Sequence, residues 1–410
     1  MIKSDADNKS ESQKLSMSQR GGKKKVILVT YKDEFAKNEA VGLVEAAGYR
    51  VVSLITQKIL HHPEYGVGSG KAEELGKIAE EEKSQMIIVD DRLSSSQAHN
   101  LAKLTHQEVI DRERLILDIF LSRATTAEAK LQVQLAELKY EIPRAREAVR
   151  LSLKGEQAGF MGMGEYAVDI KFRALRRQMV LVQKKLEQAS KRRELHIASR
   201  HRLDFPFVSL AGYTSSGKTT LFNRFVSENK EESPKLFTTL TTTTRSFEPV
   251  RGRKVLLSDT VGFISRLPTY MVEAFKSTLE ELNEADLILL LLDVSEAIED
   301  MKTKYESCRQ TLEQLRINPA KILVVLNKLD MASRDDLEVK RTMIGELPSV
   351  GISAKTGEGT RRLRVVIAQR VFPDMESVAG PLEEENQRLA SGEEAVTPVS
   401  NTGDGPRAKV

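Results

Sequence analysis

From Lys25 the chain alternates short apolar runs with amphipathic stretches. "VILVT" (Val26 to Thr30) has the continuous apolar character of a buried strand. "DEFAKNEAVGLVEAAG" then spaces its apolar residues three and four apart, which predicts a helix ending at Gly48. "RVVSLIT" reads as a second strand and "MIIVD" (Met86 to Asp90) as a third, with helices from about Lys71 and Ser94. Strands alternating with helices predict a small parallel α/β domain over residues 25–111.

From Arg112 the helical spacing lengthens. Leu115, Ile119, Leu131, Leu135 and Leu138 keep helical apolar spacing through "LILDIFLSRATTAEAKLQVQLAELKYEI". Gly155, Gly159, Gly162 and Gly164 then interrupt it, and a second helix follows in "EYAVDIKFRALRRQMVLVQKKLEQASKRREL". Two long helices around a glycine-rich tip predict an antiparallel arm over residues 112–203. A second α/β alternation starts at Phe205 and runs to about Phe372, so residues 204–372 are read as another domain. Residues 1–24 and the acidic segment 373–410 carry too few periodic apolar residues to offset chain entropy, and both are expected to be disordered tails.

Composition narrows the classes. The hydrophobic fraction is 40% and the charged fraction 30%, as in soluble proteins. The longest apolar run, Leu287 to Leu292, is far too short to cross a bilayer, so no transmembrane segment is expected. The polar, basic N-terminus has no apolar core of a signal peptide. With one cysteine, Cys308, no internal disulfide can form, and a reducing compartment is expected. The net charge of +4 hides an uneven distribution, because basic residues crowd between Arg144 and Arg202. That asymmetry points to a local contact with a polyanion.

The second α/β segment carries the chemistry. "FVSLAGYTSSGKTT" sets Gly212-x4-Gly217-Lys218-Thr219 between a strand and a helix, the arrangement of a phosphate-binding loop. Its glycines let backbone N–H groups face phosphates, Lys218 reaches the β- and γ-phosphates, and Thr219 offers a hydroxyl to magnesium. "LFTTLTTTTR" (Leu236 to Arg245) supplies a hydroxyl that completes the magnesium shell when a γ-phosphate is present; Thr239 is favoured, with Thr238 to Thr244 all open. "VLLSDTVG" ends a strand at Asp259, which holds magnesium through water, and Gly262 offers an N–H to the γ-phosphate. "ILVVLNKLD" places Asn327, Lys328 and Asp330 at another strand end. Asp330 can accept the N1 and N2 protons of guanine, a pattern adenine lacks, and Ala354 within "GISAKTG" can face the guanine O6.

The expected ligands are therefore GTP or GDP and Mg2+. The lining positions are Gly212, Tyr213, Thr214, Ser215, Ser216, Gly217, Lys218, Thr219 and Thr220, then Phe237, Thr238 and Thr239. Asp259, Thr260, Val261 and Gly262 follow, with Asn327, Lys328, Asp330, Ser353, Ala354 and Lys355 around the base. Lys218 and Gly262 are the expected catalytic positions, and Thr219, Thr239 and Asp259 the magnesium ligands. The predicted fold class is α/β: a P-loop GTPase domain preceded by a small parallel α/β domain and a long antiparallel helical arm. Ras-like enzymes carry a water-orienting glutamine after the switch glycine. Phe263 stands there in this chain and cannot hydrogen-bond water, so slow intrinsic hydrolysis is expected. Arg245 and Arg266 are candidate suppliers of the missing charge, though both read better as surface residues. "GVGSGK" (Gly66 to Lys71) lacks the spacing of a second phosphate loop, and the adjacent His61 and His62 lack metal-ligand spacing.

The arm's second helix carries Lys171, Arg173, Arg176, Arg177, Lys184, Lys185, Lys191, Arg192 and Arg193 against few acidic residues. Stacking residues are scarce there, which favours backbone and shape recognition of folded RNA. Three segments resemble the HflX GTPases: "YGVGSGKAEEL", the run from Leu93 to Arg144, and "DTVGFISRLP" (Asp259 to Pro268). The resemblance spans roughly Lys25 to Phe372 and implies binding to the large ribosomal subunit and its rRNA, with the arm tip near the peptidyl-transferase region. It also implies ribosome-stimulated GTP hydrolysis in splitting or rescue of ribosomes under stress. An apolar residue at the position of Phe263 is implied as well. Two departures stand out: "GMGEYAVDIK" replaces the family's usual tip, and Ser215 replaces a loop asparagine that holds potassium in related GTPases. A cytoplasmic monomer is expected, in part membrane-associated, with no DNA partner. A ribosome-assembly GTPase and a non-enzymatic GTP-dependent RNA-binding switch are the alternatives.

Overall fold

The computed structural model describes residues 23–155, 163–201, 205–226, 236–237 and 242–375. The two expected tails lie outside these, save Lys23, Lys24 and Pro373–Met375, as do the centre of the glycine-rich tip and both Thr238 and Thr239. Among the described residues no helix is long and apolar enough to cross a membrane.

The N-terminal domain runs β1 (Lys25–Tyr31), α1 (Glu34–Ala46), β2 (Arg50–Gln57), α2 (Ser69–Glu81), β3 (Met86–Val89), α3 (Ser95–Thr105) and β4 (Glu108–Asp111). Its four strands are all parallel, in the order β2-β1-β3-β4. The fourth strand, "EVID", was not expected: it is short, charged at both ends, and runs directly into a helix. Pairing with Met86 to Val89 defines it.

The long helical signal after Arg112 divides in two. Helix α4 (Arg112–Arg123) starts at an Asp111 cap, whose carboxylate accepts from the Arg114 amide at 2.8 Å. It stops where Ala124 turns extended, and α5 (Ala127–Gly155) restarts from Thr126, whose hydroxyl accepts from the Ala129 amide at 3.1 Å. Apolar spacing continues across this break, so periodicity alone reads one helix where the capping hydroxyl makes two. The consequence is architectural, because α4 belongs to the body. Leu115, Ile116, Leu117, Ile119 and Phe120 are all buried. Helix α5 and the following α6 (Met163–His201) form the arm. Phe172, Leu175, Met179, Val182 and Leu186 recur at three- and four-residue intervals along the covered side of α6, with Leu175 and Val182 buried.

The C-terminal domain is a six-stranded sheet in the order β10-β9-β8-β5-β7-β6. Its elements are β5 (Phe207–Gly212), α7 (Lys218–Val226), β6 (Thr243–Val250), β7 (Arg253–Asp259), α8 (Thr269–Ala274) and α9 (Lys276–Asn283). There follow β8 (Leu287–Asp293), α10 (Ile298–Gln314), β9 (Ile322–Asn327), α11 (Arg334–Met343), β10 (Ser349–Ile352) and α12 (Thr360–Val371). Only β6 is antiparallel to its neighbour. β8 and β9 are buried along their whole length, as central parallel strands covered on both faces must be. The two domains share one apolar core. Phe120 of α4 meets Phe237 and Phe275 edge-on, with ring centroids 4.9 and 4.8 Å away.

Candidate functional site

The carboxyl ends of β5, β7, β8, β9 and β10 converge on one edge of the large sheet, where open α/β folds bind ligands. After β5 the chain turns through Gly212 (φ 142°) and Gly217 (φ 94°). A Cβ at Gly212 would lie 2.5 Å from the Leu291 carbonyl, so only glycine admits this turn. Lys218 is buried and donates to the carbonyls of Gly212 and Tyr213 at 3.0 and 2.7 Å. Burial pushes its ammonium down to about 8, with Asp259 opposing the shift. The hydroxyls of Thr214 and Ser216 are buried in the same loop with no hydrogen-bond partner among the described residues.

Thr219 Oγ1 lies 3.1 Å from Asp259 Oδ2. A hydroxyl and a carboxylate side by side are the hard oxygen donors that suit magnesium. Gly262 comes close to both Thr214 and Lys218: a Cβ there would meet Thr214 Cγ2 at 2.9 Å and Lys218 Nζ at 3.1 Å. The next residue bridges back to the loop. Phe263 N donates to Gly212 O at 3.0 Å, and Thr214 N donates to Phe263 O at 2.8 Å. The Phe263 ring is buried in the core, so its side chain faces apolar packing rather than the phosphate loop.

At the carboxyl end of β9, Asn327 acts as a brace. Its Nδ2 donates to Ser216 O at 2.8 Å and its Oδ1 accepts from Ala354 N at 2.9 Å, tying phosphate loop to base loop. Ser353 Oγ donates to Asp330 Oδ1 at 2.6 Å and fixes that carboxylate. Lys328 adopts a left-handed backbone and its ammonium pairs with Asp293. Arg224 donates to the carbonyls of Ala354 and Lys355 and holds the base loop from α7. Arg224 and Asp293 were not among the expected site residues. Their signal in the sequence is weak, since each serves another residue rather than a ligand.

Not every expected lining residue faces the site. Phe237, counted with the nucleotide-binding positions, is buried edge-on against Phe120 and anchors its segment to the N-terminal domain. Val261 likewise packs into the core, and Thr260 donates its hydroxyl to Leu210 O. Tyr213 contributes backbone to the loop while its hydroxyl points away, to Glu39 of α1. Ser265 N donates to that same Tyr213 hydroxyl at 2.6 Å.

These contacts belong to a buried network between the domains. Arg112 donates to Asp90 Oδ1 and Glu39 Oε2, both at 2.6 Å, and to Ser265 O at 2.9 Å. Burial opposes ionisation of Glu39, but Arg112 and hydrogen bonds from Ser265 and Tyr213 outweigh it and hold the carboxyl below its usual range. Arg266 is exposed, as expected, and is also tied to Asp90 O and Oδ2 at 3.0 and 2.9 Å and stacks over Tyr31.

Similarity to known proteins agrees with this geometry. Three family descriptions match in succession: "GTP-binding GTPase N-terminal" at residues 35–121, "GTP-binding GTPase Middle Region" at 123–200, and "50S ribosome-binding GTPase" at 207–328. The chain is 42% identical to a GTPase HflX of Thermococcus kodakarensis over 78% of its own length and 73% of that protein. It is 40% identical to a GTPase HflX of Methanocaldococcus jannaschii over 89% of its own length and 90% of that protein. A solved GDP complex of SsGBP is 26% identical, with a TM-score of 0.50, covering 87% of this chain and 99% of that one. GTP hydrolysis is the activity of this fold and site, and the chain belongs to the HflX family of GTPases.

Proposed function

We propose that the chain is a slow GTPase switched on by the large ribosomal subunit, acting in the splitting or rescue of stalled ribosomes. The observation that carries this reading is Phe263. Its ring is buried and cannot orient water, so the site lacks the side chain that positions the nucleophile in Ras-like enzymes. The description of residues 207–328 as a 50S ribosome-binding GTPase and the basic arm support the ribosome as the partner that completes it.

In this reading Lys218 and the loop amides bind the β- and γ-phosphates, and the Gly262 amide donates to the γ-phosphate. Thr219, water held by Asp259, and Thr239 would hold magnesium, which supplies charge neutralisation on the phosphate oxygens. Asp330 binds the guanine N1 and N2 protons, the Ala354 amide faces O6, and Asn327 and Ser353 hold these groups in place. Water attacks the γ-phosphorus, the bond to the β-phosphate oxygen breaks, and GDP and phosphate result. Docking on the ribosome reorders the segment from Asp259 to Pro268 (switch II) or inserts a cation, an effect worth roughly a thousandfold or more in other GTPases.

GTP turnover with and without purified large subunits, paired with co-sedimentation in a non-hydrolysable GTP analogue, tests the proposal. Stimulated turnover and analogue-dependent co-sedimentation are expected. Absence of both stimulation and co-sedimentation would sink it. A preference for immature subunits over complete ribosomes would mark ribosome assembly instead.

A further inference from the structure

The N-terminal sheet has two ends, and only one of them meets the GTPase domain. At its carboxyl end Asp90 is engaged by Arg112 and Arg266. The opposite end opens into a cavity of about 510 Å3 lined by Lys23, Lys25, Arg50, Lys83 and Gln85. No acidic side chain lines it, and none of these four cations forms an ion pair among the described residues. Glu80, Glu81 and Glu82 stand nearby at the end of α2 without lining the cavity.

Strand register brings the charges together. Lys25 and Arg50 are register partners on adjacent parallel strands. Arg50 N donates to Lys24 O and Gln85 N to Lys25 O, both at 2.9 Å, so three strand entrances stand abreast. Neighbouring strands lie about 4.8 Å apart, which sets like charges side by side with no counter-charge between them.

Lys83 brings a fourth cation to the cavity from a helix end. Helices α1 and α2 end in the same turn. After α1 the turn residue is Gly48 (φ 84°), with Gly48 N bonded to Glu45 O and Tyr49 N to Val44 O. After α2 it is Lys83 (φ 51°), with Lys83 N bonded to Glu80 O and Ser84 N to Ala79 O. Glycine takes this left-handed conformation at no steric cost, whereas lysine does not. Lys83 is exposed, so packing does not account for it. Arg316 (φ 58°) takes the same turn after α10, so the turn admits a cation, and what Lys83 brings to the cavity is its charge.

We propose that this cavity binds the phosphodiester backbone of folded RNA, as a contact separate from the helical arm. Four cations and an amide, with no apolar side chain among them, suit phosphate oxygens and leave nothing to seat the side chains of a peptide. Bare RNA tests the inference, so it stands or falls apart from the ribosome reading.

The experiment measures binding of the full chain to an RNA duplex unrelated to rRNA across a salt series. It compares a combined K23S/K25S/R50S variant, Lys83→Gly, and an arm control, R176S/R177S. Each cation removed from a phosphate should lower the slope of log affinity against log salt by roughly 0.7–0.9. The combined variant should therefore drop by about two to three in slope and at least about tenfold in affinity at low salt. Lys83→Gly should drop by about one in slope while melting no lower than the parent, because glycine suits the turn. GTP turnover without RNA should be unchanged in both. Parental affinity and slope in both variants would overturn the proposal. So would equal RNA binding together with loss of binding to a synthetic peptide covering Leu382 to Arg388, which would give the cavity to an acidic segment. Displacement of the duplex by inorganic tripolyphosphate at far lower concentration than by a second duplex would also overturn it, marking a small-anion pocket.

Discussion

Lys218 sits among carbonyl oxygens, and burial holds its ammonium at about 8 despite the nearby Asp259. A triphosphate placed beside it favours the charged form and raises that value. Below pH 8 the lysine already carries its proton, so nucleotide binding takes up none. Above pH 8 a proton must be taken up on binding, and GTP affinity should fall by up to about tenfold per pH unit. Titrating a fluorescent, non-hydrolysable GTP analogue between neutral and alkaline pH checks this, and affinity flat across the range would count against it. Asp330 gives the second test at this scale. Ser353 holds one of its oxygens, leaving the carboxylate to accept from the base. Asp330→Asn should weaken GTP by at least about tenfold and turn preference toward xanthosine triphosphate, read by competition binding. Both residues were legible in the sequence because motif spacing defines them. Glu39 and Arg224 were not: Glu39 meets Ser265 and Tyr213 across most of the chain, and nothing local marks such a partner.

Switch II, the segment after Asp259, is braced on both sides. Phe263 bonds the phosphate loop through its backbone, and Ser265 and Arg266 are held by Glu39, Arg112 and Asp90 of the N-terminal domain. The segment that follows Asp259 is thus attached to the N-terminal domain. Removing one partner of a buried ion pair strands the rest, so Arg112→Ala should destabilise the protein by about 3–5 kcal/mol in chemical denaturation. The Glu39 carboxyl is held below its usual range, so its share of stability is present above the unfolded-state value. That share is lost as pH falls through the lower folded value. In Arg112→Ala this acid-side loss should shrink, because the guanidinium that depresses Glu39 is gone. At this scale the regular elements were legible from apolar spacing. The break at Ala124 and strand β4 were not, since one hinges on a single capping threonine and the other on pairing with β3.

At the scale of the whole molecule, a shared core joins the two α/β domains through α4, and α5 and α6 of the arm pack into the same core. Helix α5 has 29 residues, so Gly155 lies roughly 40 Å along the helix from Ala127, and contact with the body reaches Glu147, which accepts from Ser95 and Ser96. Charges at the tip cannot reach the nucleotide site directly, because surface electrostatics are screened within about 8 Å at physiological salt. Any signal from tip to site has to travel as movement of the helices at the arm's base. There α5 adjoins α8, which follows switch II, and Lys139 pairs with Glu273 at 2.7 Å. Replacing Gly155 to Gly164 by a short turn should therefore leave GTP and GDP affinities within about twofold of the parent, since no base or phosphate contact is touched. On the proposed function, the same variant should lose stimulation of turnover by large subunits. Equilibrium nucleotide binding and steady-state turnover on one preparation separate the two effects. Loss of nucleotide binding in the tip variant would mean that the arm supports the site itself, and full stimulation would mean that the ribosome acts through another surface.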